Sequence, residues 1–304
     1  MANIIKPVKI IDFIFSVFLL SIFLVSCGGK ETNDSQEQVE EIQQVDHSNS
    51  TLLTINGEIF SIPSPIQTAL LIKELGSNYN KEMLNPPKGS EAYPTKFQKA
   101  INLGVYGADM GYVTIYDQTQ DALLYLKYIK GIAEDLGVMG AFDKTLLERF
   151  EKNMGNQDSI LILVSDAYRA SDSYLKNQER NDIGVLILVG GFVESLHFAI
   201  QAAEQKNDPE LIKRIGEQKS SLENVIKLLS PYYQKEEFKE ITDLLIDLAE
   251  DFDAVEYVYI YEKPTTDVAT KTTTINSRTE VKISDEQFKT IASSVKKLRS
   301  KIIS

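Results

Sequence analysis

Between Ile183 and Ala203 the chain is apolar on every side of a helix, with Glu194, His197 and Gln201 as its only strongly polar residues. Few folds accept such a segment. A helix with one apolar stripe needs one neighbour, whereas a helix apolar all round must be surrounded by other helices or by lipid. Its length would permit a membrane span. A carboxylate near the midpoint would be costly in lipid, so the segment reads as the buried central helix of a bundle.

The flanking sequence supplies the surrounding helices. Ser64-Pro65 offers an N-cap and a proline at the first helical position, for a helix running to about Leu75. Asn85-Pro86-Pro87-Lys88-Gly89 then breaks the chain, and a second helix starts near Tyr93 and Thr95. Ala122, Leu123, Leu126, Ile129, Ile132, Ala133 and Leu136 form an apolar stripe at helical spacing, ended by Gly137 and Gly140. Further helices are expected at about 143–153, 158–176, 180–205, 209–229 and 234–251. After Phe252 the period changes. Tyr257, Tyr259 and Tyr261 alternate with Glu256, Val258, Ile260 and Glu262, as in a strand, and the Thr-rich stretch 270–283 is placed to pair with them. Ser284 and Gln287 form a capping box for a last helix reaching Ile303. The expected fold is mainly α: one domain over 51–304, a multi-helix bundle around a buried central helix, with a small β-ribbon at about 255–283 before the C-terminal helix.

Chemistry has few places to sit. Glu194-x-x-His197 has the spacing of ferritin-like carboxylate di-metal sites, in which both side chains face the bundle interior. The second Glu-x-x-His of such a site is missing, since the other histidine is His47. A single-metal site would recruit Asp109 or Asp166 from neighbouring helices, and its metal is left open. The plainer reading is two polar groups hydrogen-bonded inside the bundle or facing a cleft. Asp109, Tyr112 and Tyr116 share one helix face, and Asp166, Arg169 and Asp172 share another. If these faces meet they make either a small polar ligand site or an internal ion-pair network that fixes helix register, because buried charges are generally paired. Asp109, Tyr112, Asp166, Arg169, Glu194 and His197 are therefore the candidate ligand-binding residues. Gly104, Gly107 and Gly111 lie on one side of a helix and lack the strand and the Lys-Ser/Thr of a phosphate loop. They read instead, like Gly190-Gly191, as sites of close helix approach. The tyrosine face of the ribbon would either pack onto a helix or stack on a sugar or partner protein. Gly-x-Ser-x-Gly and His-Glu-x-x-His are absent. No catalytic residue and no cofactor are assigned.

The N-terminus carries a different kind of signal. Lys6 and Lys9 precede the apolar run Phe13–Val25, too short for a helix to cross a bilayer and suited to an export signal. Leu24-Val25-Ser26-Cys27 follows. This ending resembles the lipobox of bacterial lipoproteins, which implies cleavage after residue 26 and a lipid-modified Cys27 as first residue. Several acyl chains on one residue anchor stably where one would not. Cys27 is the only cysteine, so no intramolecular disulfide can form. Residues 27–50 then read as an acidic tether. From 28 on they hold six acids against one lysine and no aromatic residue, a composition that cannot form a core. As a flexible coil it spans roughly 25 Å.

The mature domain is similar to the helical lipoproteins common in Bacteroidota, on the stretches Ser64-Pro65-Ile66-Gln67, Leu103-Gly104-Val105-Tyr106-Gly107-Ala108-Asp109 and Ile275-Asn276-Ser277. The resemblance implies an envelope location, in the outer membrane, and a helical fold; it brings no activity. Lys30-Glu31 only loosely matches the signal that directs such proteins to the cell surface. The formal charge of −12 argues against nucleic acid and anionic lipid surfaces as partners. The expectation is a lipid-anchored, non-enzymatic binding or assembly protein with an envelope protein partner. The alternative is a metal- or small-ligand-binding protein, or an enzyme, centred on Glu194 and His197.

Overall fold

The computed structural model describes residues 51–55, 58–62, 64–141, 144–153 and 180–304, with isolated positions between 156 and 174. The export signal, Cys27, the tether, Arg169 and Asp172 lie outside the described residues, as does most of the helix expected at 158–176. The described chain opens with an antiparallel pair, β1 (Thr51–Ile55) and β2 (Glu58–Ile62), in which Ile55 pairs with Glu58. The sequence reading had no element there, although Asn56-Gly57 between two alternating runs is the strongest short-range hairpin signal.

The helices follow. They are α1 (Pro65–Glu74), α2 (Lys96–Ile115), α3 (Thr119–Leu136), α4 (Lys144–Lys152), α5 (Asn181–Lys206), α6 (Pro209–Gly216), α7 (Lys219–Leu229) and α8 (Glu236–Asp253). The ribbon strands are β3 (Glu256–Ile260), β4 (Thr265–Asp267), β5 (Thr272–Thr274) and β6 (Arg278–Lys282), and α9 (Asp285–Ile303) ends the chain. The caps behave as the sequence requires. Thr95 Oγ1 accepts from the Gln98 amide at 3.1 Å, Asp208 Oδ1 from the Glu210 amide at 2.9 Å, and Ser284 Oγ from the Gln287 amide at 3.3 Å. Gly137 terminates α3 in the left-handed conformation, φ 69°, which costs glycine nothing.

Helix α5 is the apolar segment and the centre of the bundle, contacted by α1, α2, α6, α7 and α9. Its closest neighbour is α2. A methyl group at Gly104 would overlap the carbonyl oxygen of Ile187, and one at Gly190 would overlap that of Ile101. Two glycines facing each other thus let the two backbones touch. Gly111 makes room for the Ile66 side chain of α1.

One expected helix is two. The stripe Leu211, Ile215, Leu222, Val225 and Leu229 is buried throughout, but the helix breaks between α6 and α7. The Gly216 carbonyl is taken by the Tyr257 hydroxyl at 2.7 Å, and Val281 leaves no room for a side chain at Gly216. The ribbon docks on this break. In it β3 pairs with β6, Tyr257 opposite Val281 and Tyr259 opposite Thr279, and β4 pairs with β5.

Candidate functional site

Glu194 sits near the middle of α5 and is fully buried. A lone carboxylate there would be severely penalised. Its partner comes from the other end of the sequence. Arg299 of α9 donates from Nε to Glu194 Oε2 and from a terminal nitrogen to Oε1, both at 2.6 Å. The side chain of Arg299 is only 13% exposed, so this is a bidentate ion pair inside the core, the strong form of such a contact. The same guanidinium donates to the Met83 carbonyl at 3.2 Å.

His197, one turn along α5, reaches the same carbonyl. Its Nε2 lies 3.1 Å from Met83 O, and since a carbonyl only accepts, Nε2 carries the hydrogen. Burial and the neighbouring Arg299 charge push the imidazole down to about 3, so it is neutral at ordinary pH. Met83 ends a short 3-10 turn (Lys81–Met83) in the connection between α1 and α2.

Asp109 of α2 completes the cluster. It is fully buried, and its Oδ1 accepts from the Asn85 amide at 3.4 Å. Burial, then the Glu194 charge, hold its carboxyl well above the usual carboxylate range, with Arg299 opposing. Glu194 is raised as well, by burial, against the pull of Arg299. The single guanidinium grips Glu194 and opposes, without cancelling, the upward push on Asp109.

Around this cluster tyrosines of α2 and α3 secure the irregular segment between α1 and α2. Tyr112 accepts from the Asn80 amide at 3.0 Å, Tyr106 from the Lys88 amide at 2.7 Å, and Tyr125 donates to the Asn85 carbonyl at 2.8 Å. A segment without its own ladder must find partners for its backbone groups, and these hydroxyls supply them. Asn102 works similarly on α9, donating to the Ile302 carbonyl at 2.8 Å.

The structure thus brings together Asp109, Glu194 and His197, with Tyr112 on the adjoining wall. Asp166 is outside this set: its carboxylate pairs with Arg149 at 3.7 Å and is 31% exposed. Asp166 therefore does not join Asp109 in a polar layer, and the described cation that bears on Asp109 is Arg299; Arg169 lies outside the described residues. The sequence reading missed Arg299, although it falls among Ala292, Val295 and Ile302 on the buried stripe of α9, where a charge needs a partner. Among the described residues no group of three or more His, Cys, Asp or Glu side chains is placed to hold a metal ion. Both oxygens of Glu194 are engaged by Arg299, and Nε2 of His197 by a carbonyl. Neither described cavity is lined by Asp109, Glu194, His197 or Arg299. The more enclosed one, of about 140 Å³, lies between α1, α5 and α6 over an apolar floor that includes Leu71, Phe192 and Ile215.

The tyrosine face of the ribbon divides in two. Tyr257 is half-buried against Gly216, with Lys219 Nζ 5.6 Å from its ring centroid. Tyr259 and Tyr261 are 66% and 69% exposed. Of the large hydrophobic residues that stand exposed among the described ones, Val268 and Ile275 also lie in this ribbon region, against Leu123, Leu124 and Ile246 elsewhere. No protein-family model matches the chain, and no curated protein or solved structure matches it either.

Proposed function

We propose that this chain is a lipid-anchored protein of the bacterial cell envelope, held in the outer membrane through Cys27, whose folded domain works by binding or assembly rather than by catalysis. The observation that carries the second half is where polar chemistry is spent. The one chemically suggestive motif, Glu194-x-x-His197, is used on Arg299 and on the Met83 carbonyl, as an internal register device for three parts of the fold. Exposed apolar and aromatic side chains are concentrated instead on the ribbon, the kind of surface that marks an interaction site. The anchor rests on Leu24-Val25-Ser26-Cys27 and on the acidic tether behind it.

Two measurements on the full chain in a lipoprotein-processing bacterium test this reading. Metabolic labelling with palmitate should mark the wild type and leave Cys27→Ser unlabelled, with the variant lost from the outer-membrane fraction. Equal membrane recovery of both proteins would remove the anchor. Photo-crosslinking from the ribbon in intact membranes should give a reproducible adduct; a protein that crosslinks to nothing there would sink the binding half.

A further inference from the structure

We propose that the exposed ribbon face carrying Tyr259 and Tyr261 is a platform for a neutral polysaccharide. The proposal rests on the reading of the ribbon as the binding surface, but not on the lipid anchor.

The two faces of the ribbon differ in kind. On one side lie Glu256, Glu262, Arg278, Glu280 and Lys282, knitted by ion pairs: Lys282 to Glu256 at 3.2 Å, Arg278 to Glu280 at 3.3 Å, and Arg278 to Glu262. The other side has no charged residue. From its base outward it carries Tyr257 opposite Val281 and then Tyr259 opposite Thr279. Tyr261 follows two positions on, just past the end of β3, and is as exposed as Tyr259. The base is fixed to the bundle through the Tyr257–Gly216 hydrogen bond and Val281. The outer part stands clear of the helices, and its two rings are about two-thirds exposed.

Backbone positions two apart in extended chain are separated by roughly 7 Å, a spacing that lets two such rings meet neighbouring units of a sugar chain. The C–H faces of a pyranose are weakly positive and meet the negative faces of aromatic rings favourably. Hydroxyls suited to sugar hydroxyls are close by. Thr279 is directly across from Tyr259, and next along the chain the exposed β4–β5 pair carries five threonines and Asp267, with Thr266 and Thr273 hydroxyls 3.1 Å apart. Charge selects among glycans. A chain of net charge −12 repels uronic acids, sulfates and phosphates, while an uncharged face costs a neutral sugar nothing. A protein partner is the weaker fit, because its energetic centre is generally a pocket closed off from water by a surrounding rim. Here both rings stand on an open ribbon.

The test uses the full chain in detergent and electrophoresis through gels containing neutral β-glucan, xylan, mannan or dextran, with alginate as the charged control. The expected result is retardation by at least one neutral polysaccharide and none by alginate. Tyr259→Ala with Tyr261→Ala should weaken it at least tenfold, Tyr→Phe at both positions should retain it, and Leu123→Ala should not alter it. Because both rings are exposed, the alanine variants should keep the wild-type unfolding midpoint, which checks that the fold is intact. Binding that survives the double alanine variant would overturn the proposal, as would retardation by none of the neutral polysaccharides. A photo-crosslinker at residue 261 that captures a protein in membranes, with no glycan bound in the gels, would overturn it while leaving the binding-module reading standing.

Discussion

Arg299 grips Glu194 through two hydrogen bonds of 2.6 Å, across 105 residues of sequence. The contact joins the last helix to the central one, and the shared Met83 carbonyl ties both to the connection between α1 and α2. A pair buried this deeply is more conspicuous in its loss than in its presence. Removing one partner strands the other charge in the core, whereas replacing both with apolar groups can be nearly neutral. Arg299→Met should therefore destabilise the fold by about 3–5 kcal/mol. Adding Glu194→Leu to it should recover a good part of that loss. Urea unfolding of the two single variants and the double variant measures the coupling; additive losses would show that the pair is not what holds α9.

Asp109 gives a stability that depends on pH in the direction opposite to an ordinary salt-bridged acid. Its folded pKa is raised, by burial and by the Glu194 charge. The stabilisation is fully present below the unfolded value of 3.8 and declines as pH rises towards the folded value. Asp109→Asn has no proton to lose. Relative to wild type, that variant should gain stability as pH is raised from about 4, with a slope of up to about 1.4 kcal/mol per pH unit. Paired unfolding curves at several pH values read this directly, and a pH-independent difference would mean that Asp109 is ionised in the fold.

His197 works the other way. It is neutral in the fold down to about 3, from an ordinary 6.5, so below pH 6.5 the unfolded chain takes up a proton that the folded chain refuses. Its contribution is intact above 6.5 and is lost as pH falls through that window. His197→Gln keeps a donor for the Met83 carbonyl and cannot titrate. The variant should lose stability less steeply than wild type between pH 6.5 and 4, by up to about 1.4 kcal/mol per pH unit. Chemical denaturation across that range checks it, and NMR titration of the His197 ring should find no protonation until the fold fails.

The crossing of α2 and α5 makes a steric prediction. Gly104→Ala and Gly190→Ala each drive a methyl into a backbone carbonyl, which cannot rotate aside. Each should cost about 1–3 kcal/mol, as overpacking typically does. Gly131 on α3 has nothing within 4 Å of the added carbon, and Gly131→Ala should stabilise by about 0.5–1 kcal/mol through helix propensity alone. Thermal melts of the three variants suffice. Equal effects at all three positions would mean that the helices do not cross so closely.

Much of this architecture was legible before the structure. The all-round apolarity of 183–203 dictated a central helix, and the Ser64, Asp208 and Ser284 signals marked helix starts, because both are local properties of chain geometry. What escaped was set by partners distant in sequence. The break at Gly216 depends on Tyr257 and Val281, some forty residues or more away, while the apolar stripe runs on across it. The choice of Arg299 as the cation for Glu194 depends on how α9 lies against α5, which no periodicity records. The hairpin at 51–62 is a different kind of miss, since Asn56-Gly57 was a local signal in plain view.

The distance along the chain between Glu194 and Arg299 also sets an order of events. As the protein is synthesised, α5 emerges with a carboxylate at its centre and waits about a hundred residues for the guanidinium that neutralises it. Until Arg299 arrives, closing the core around Glu194 means burying an unpaired acid or first giving it a proton. The chain is thereby biased to stay open until its final turn of helix has been made. If the chain crosses a membrane unfolded, as the proposed export signal would require, that delay keeps it open until a single arginine has been made.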